Sequence, residues 1–214
     1  MRNYPLLDVR VETPRLELRG ATDELLDELA DLVRAGKTEA EPAPYDDPMS
    51  FYETDPDLRV ARWLRAIWRR RGSAEPDAWR LYFVVMVDGR AVGEQSLDGV
   101  DFAALGTVTT FSWLSSDLRG QGLGGEMREA VLHLAFDGLG AREAGSDAFV
   151  DNPGSNAVSR RLGYEPNGTD WSTRRGEPAL SQRWRLTREA WEPRRRDDIR
   201  IANLDACHTL LPLC

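Results

Sequence analysis

Ser112-Trp113-Leu114-Ser115-Ser116-Asp117-Leu118-Arg119-Gly120-Gln121-Gly122-Leu123-Gly124-Gly125-Glu126-Met127-Arg128-Glu129-Ala130-Val131 is the stretch whose reading decides the fold. An apolar, β-prone run from Val108 to Leu114 enters a glycine-dense turn. The turn opens into a helix carrying Leu123, Met127, Ala130, Val131 and Leu134 at helical spacing. Gly120, Gly122, Gly124 and Gly125 strip the first turn of side chains, so a ligand can reach its unpaired N–H groups. With the positive end of the helix dipole, those groups suit an anion such as a diphosphate. A lysine-bearing phosphate loop is excluded, because no lysine follows the glycines. Gly120, Gly122 and Gly125 satisfy G-x-G-x-x-G, but they lie past the midpoint after three strand-like runs, whereas a dinucleotide fingerprint opens a βαβ unit. The better template is Arg119-x-x-Gly122-x-Gly124.

The chain's 214 residues suffice for one sizeable domain with one core. Apolar residues at 41% and charged residues at 30% describe an ordinary globular protein. Net charge is −8 although arginine is abundant and Lys37 is the only lysine. That balance argues against a nucleic-acid groove and favours a cationic partner. No apolar run approaches the ~20 residues of a membrane span, and the N-terminus lacks the apolar core of a signal peptide, so a cytoplasmic location is expected. Cys207 and Cys214, both near the end, offer neither a disulfide framework nor a zinc spacing. No metal is expected.

Outward from the glycine turn, Thr13 to Arg19 alternates as a half-buried first strand, and Thr22 caps a helix from Asp23 to Ala35. Residues 37 to 57 crowd acids among four prolines and read as a long loop, either a solvated connection or an acidic rim for an amine. Leu58 to Arg71 is an amphipathic helix whose Trp63 and Trp68 belong to its inner face. Tyr82 to Val87 and Ala91 to Leu97 form a hairpin about Asp88-Gly89, and a third strand spans Thr107 to Leu114. The helix after the glycines runs to Asp137, and Glu143 to Val150 returns as a parallel strand. A terminal hairpin turns at Arg174-Arg175-Gly176-Glu177, and Thr187 caps a short helix.

The second informative stretch is Asn152-Pro153-Gly154-Ser155-Asn156-Ala157-Val158-Ser159-Arg160-Arg161-Leu162-Gly163-Tyr164, a capped short helix stopped by Leu-Gly-Tyr. Three segments together resemble one family. Arg119-x-x-Gly122-x-Gly124 between strand and helix looks like the acetyl-CoA pyrophosphate loop of the GNAT N-acetyltransferases. The Asn152-to-Tyr164 pattern and the Thr13-x-Arg15-Leu16-x-Leu18-Arg19 opening are similar to its RimJ/RimL-like branch.

The resemblance covers residues 10 to 190 and implies an α/β (α+β) GNAT fold: a mixed, mostly antiparallel sheet flanked by helices, with a splayed strand pair at the CoA site. It implies acetyl-CoA as co-substrate, a primary amine of a small molecule or peptide N-terminus as acceptor, and direct attack in a ternary complex. It assigns CoA contacts to Trp113, Leu114, Ser115, Arg119, Gly120, Gln121, Gly122, Leu123, Gly124, Asn152, Ser155 and Asn156. Ser155 corresponds to the serine that protonates the leaving thiolate; the tyrosine that many members use is replaced here by Ser159. Glu94, an acid inside an apolar hairpin, is either the general base or an outward-facing strand residue. A non-catalytic acyl-CoA sensor stays open as the second class. Residues 191 to 214 lie outside the resemblance, and docking on the domain, homodimerisation and disorder all stay open for them.

Overall fold

A computed structural model of the chain describes residues 3–47, 51–207, 210 and 211. Where one first strand was expected there are two, β1 (Arg10–Glu12) and β2 (Glu17–Gly20). Pro14 brings no N–H to a ladder, and the Thr13 hydroxyl accepts from the N–H groups of Arg15 and Leu16, which closes a turn inside the alternating run. Helix α1 (Asp23–Arg34) starts on Thr22, whose hydroxyl accepts from the Leu25 amide. Helix α2 (Pro56–Gly72) starts on Asp55, whose carboxylate accepts from Asp57 and Leu58. It buries Val60, Trp63 and Ile67, but Trp68 is 45% exposed and donates its indole N–H to Asp23 at 3.1 Å. The inner-face assignment for Trp68 is therefore corrected: one residue past Ile67 turns it about 100° off the buried stripe, onto the seam with α1.

Strands β3 (Ala78–Val87) and β4 (Arg90–Val100) are joined at Asp88-Gly89, both in left-handed backbone. A one-turn helix, α3 (Phe102–Leu105), leads to β5 (Thr107–Leu114). Helix α4 (Leu123–His133) ends in a π turn over Leu134–Gly138, so the expected end at Asp137 is reached with looser winding. Then follow β6 (Glu143–Phe149), α5 (Pro153–Arg161), β7 (Glu165–Arg174), β8 (Glu177–Thr187), α6 (Arg188–Trp191) and β9 (Arg200–Ala202).

All nine strands form one sheet in the order β7-β8-β6-β5-β4-β3-β2-β1-β9, in which β5–β6 is the parallel pair and the other pairs are antiparallel. One face carries α4 over Leu97, Val108, Leu114 and Trp184; the other carries α1 and α2 over Tyr82, Val84 and Trp113. Each fully buried aliphatic or aromatic side chain of these two layers contributes roughly 1.5–3 kcal/mol. The segment after α6 pairs β9 with β1 and buries Ile199, Cys207 and Leu211 in the α4 layer. Among the described residues no helix is long and apolar enough to cross a membrane.

Candidate active site

Strands β5 and β6 pair only from Thr107 to Thr109 against Glu143 to Gly145, and then separate. Each is held on its outer side instead. β5 stays on β4 as far as Leu114 opposite Gly93, and Ser115 donates its amide to Val92 at 2.8 Å. Gly93 permits this closeness, since a Cβ there would lie 2.4 Å from the Trp113 carbonyl oxygen. β6 stays on β8 as far as Phe149 opposite Ser181. The facing edges beyond Thr109 and Gly145 carry no ladder, and a cavity of about 670 Å³ passes through this fork from one sheet face to the other.

On the α4 side the cavity floor is the glycine turn. Gly122 caps α4 with φ +82°, a conformation that glycine reaches without strain, and Gly124 has open space where a Cβ would project. The N–H groups of Gly120, Gln121, Gly122, Leu123 and Gly124 make no hydrogen bond among the described residues, so the turn presents bare donors at a helix N-terminus. Two arginines brace it. Arg119 donates to the carbonyls of Leu114, Glu39 and Thr38, tying the end of β5 to the loop after α1. Arg15 donates to the Gln121 carbonyl at 3.0 Å and to Glu126 at 2.5 Å. Although burial opposes ionisation of Glu126, hydrogen bonds from Thr13 and Arg15 hold its carboxyl below the usual range.

Of the residues named from the sequence, Trp113, Leu114, Arg119, Gly120, Gly122, Gly124, Asn152 and Ser155 line the cavity. Ser155 sits in the first turn of α5, its amide bonded to Asn152 Oδ1 at 3.1 Å. The side chains of the others lie apart from the wall. Ser115 and Leu123 are buried, and the Gln121 amide turns back to the Asp117 carbonyl. Asn156 spends its amide group on Phe149, Asn152 and Trp184. Ser159 is fully buried. Glu94 faces inward, 1% exposed, and its Oε2 accepts from the indole N–H groups of Trp63 and Trp113, each at 3.0 Å. Burial pushes its carboxyl above the ordinary value, against the pull of those two donors.

On the α1/α2 side the wall carries Asp46, from the acidic loop offered as a rim for an amine, and groups that sequence reasoning passed over: Tyr45, Arg70, Arg80, Asp98 and Asp147. Arg80 is ion-paired with Asp98. Asp147 opens onto the cavity from β6, and desolvation by the surrounding protein raises its pKa. Asp46 is raised as well, chiefly by burial and further by the charge of Asp147. A carboxylate raised in this way is a better proton acceptor near neutrality. One faint signal existed for Asp147, a lone acid among the small and apolar residues of Ala144 to Phe149. Nothing local marked Arg70, Arg80 or Asp98.

Known proteins share this fold. The family described as acetyltransferase (GNAT) domain matches residues 15–165. Among solved structures, the chain is similar to Mycobacterium smegmatis RimJ in complex with CoA-disulfide, with TM-score 0.72 and 21% identity over 86% of this chain and 90% of that one. It is similar to RimL, the ribosomal L7/L12 alpha-N-protein acetyltransferase in complex with coenzyme A, with TM-score 0.61 and 20% identity over 83% and 97%. It is similar, too, to a GCN5-related N-acetyltransferase from Brucella melitensis, with TM-score 0.63 and 19% identity over 85% of this chain and 80% of that one.

Proposed function

The chain belongs to the GNAT acetyltransferase family, and from that premise we propose that it transfers the acetyl group of acetyl-CoA to a primary amine of a small molecule or a peptide N-terminus. The observation that carries this reading is the through-sheet cavity, with bare amides at one mouth and carboxylates at the other. The diphosphate sits on the N–H groups of Gly120 to Gly124, which supply both donors and the helix dipole. The pantetheine arm runs into the fork and pairs with the free edge of β5, as an added strand would. A backbone N–H near Leu114 then meets the thioester oxygen and stabilises the tetrahedral oxyanion.

The amine arrives from the opposite face, drawn as a cation by Asp46 and Asp147. It must be neutral to attack. Asp147, which faces the cavity with a raised pKa, takes its proton; Glu94 is the alternative, reaching the amine only through a relayed water because Trp113 stands between it and the cavity. Ser155, on the wall at the start of α5, protonates the departing thiolate, and Asn152 holds the pantetheine arm. Among the described residues no cysteine lines the cavity, which favours direct transfer over an acyl-enzyme route.

Release of free thiol from acetyl-CoA, followed across a panel of amines, amino acids and N-terminal peptides, tests the reading. Turnover with at least one acceptor is expected. Asp147→Asn should lower kcat about 100-fold and Ser155→Ala about 10-fold with CoA affinity retained. If Glu94→Gln removes turnover and Asp147→Asn does not, the base is Glu94. Tight CoA binding with no turnover for any acceptor replaces the enzyme by a sensor.

A further inference from the structure

Arg128 projects from α4 into the base of the fork and lines the cavity while being only 4% exposed. Its Nη1 donates to Ser146 Oγ on β6 at 2.9 Å, and its Nη2 reaches Ser112 Oγ on β5 at 3.5 Å. Among the described residues its buried Nε–H makes no hydrogen bond and no carboxylate forms an ion pair with it. The buried hydroxyl of Tyr164 lies beside the guanidinium, close enough to feel both its charge and its N–H groups, which offset part of the burial that raises its pKa. Asp147 feels the same charge, but strand alternation puts its side chain on the opposite face of β6 from Ser146.

A buried charge is normally paired, because leaving it alone in a low-dielectric site is expensive. Here a guanidinium with no carboxylate partner among the described residues lines a ligand cavity, and serines of two strands anchor it beneath the place where a thioester would thread the sheet. The CoA diphosphate is not its counter-ion, since that group is gripped at the glycine turn and the guanidinium is held at the fork. We propose that Arg128 receives the terminal carboxylate of a dicarboxylic acyl group, so that a succinyl-type acyl-CoA is a better donor than acetyl-CoA or a neutral acyl-CoA of equal chain length. This rests on the acyltransferase reading and changes only what the thioester carries. The acyl tail lies toward α4 and the amine comes from the Asp147 side, so the two do not compete for space. In the step itself the amine nitrogen bonds to the thioester carbon, the C–S bond breaks, and the proton lost by nitrogen ends on the CoA sulfur. The distal carboxylate is unchanged.

The test measures kcat/KM and equilibrium binding for acetyl-, butyryl- and succinyl-CoA, the last two differing by a terminal methyl against a carboxylate. In the intact chain the succinyl-to-butyryl ratio of kcat/KM should be about 100. In Arg128→Met it should collapse to about one. Should that variant fail to fold, Ser146→Ala, which removes the Nη1 anchor, should lower the ratio about fivefold. A ratio at or below one in the intact chain overturns the proposal. So does a ratio that survives Arg128→Met because all three donors weaken equally, which would mean that the arginine serves the pantetheine arm. Acetyl-CoA bound and turned over with no carboxylate preference sinks this inference alone; failure to bind any acyl-CoA sinks the acyltransferase reading with it.

Discussion

The two mouths of the cavity are built on opposite plans. The α4 mouth comes from one short contiguous stretch and works through main-chain N–H groups that glycine leaves uncovered. The α1/α2 mouth gathers side chains from the loop at Tyr45 and Asp46, from α2, and from the strands β3 to β8. A site made of backbone tolerates almost no side chain in its few residues, whereas a site made of side chains can be altered one group at a time. That contrast accounts for which mouth could be read from the sequence and which could not.

The sharpest way to break the comparison is to give the backbone site a side chain. Gly124 has an unstrained helical position and open space above it, so Gly124→Glu should fold with unchanged or slightly raised thermal stability. Its carboxylate would occupy the anion's place, and CoA affinity measured by calorimetry should fall more than about 100-fold. Equal affinity in the variant would mean that the amides bind nothing.

On the side-chain mouth the expected effects are smaller. Trp113→Phe keeps an aromatic in the wall but removes one of the two donors to buried Glu94. Urea denaturation should show a loss of about 2 kcal/mol, because the carboxylate is left with a single strong partner. An unchanged midpoint would show that the indole hydrogen bond carries no stability.

Glu94→Gln should then change the pH dependence more than the stability itself. Burial raises the Glu94 pKa, so the folded chain keeps this proton to higher pH than the unfolded chain does. Its contribution is complete below the ordinary glutamate value of 4.5 and is lost as pH rises through the elevated folded value. Relative to Glu94→Gln, the parent should therefore lose stability across that window, by about 1.4 kcal/mol per unit of elevation. Melting curves that stay parallel from pH 4 to 8 would remove the premise.

Strand β5, the glycine turn, α4 and the capped α5 were legible because each is written in local chemistry: apolar runs, glycines that uncover donors, and an Asn cap three residues before Ser155. Trp68 was misjudged because a helical stripe tells which residues share a face but not how far the neighbouring helix covers it. Glu94 could be singled out as unusual, yet its two indole partners come from residues 63 and 113, a contact that no local pattern announces. Arg128 looked like one more charged helix position until the fork closed around it.

By itself, the sequence determined the order of most strands and helices and the glycine turn with its bare amides, because hydrogen-bonding capacity, glycine conformation and apolar spacing act over a few neighbouring residues. Only the tertiary structure decided that β5 and β6 part after Thr109, that Glu94 lies behind Trp113, and that Arg128 stands in the fork with no carboxylate partner among the described residues. Desolvation and ion pairing depend on which distant segments arrive at the same place, and that information exists only after the sheet has assembled.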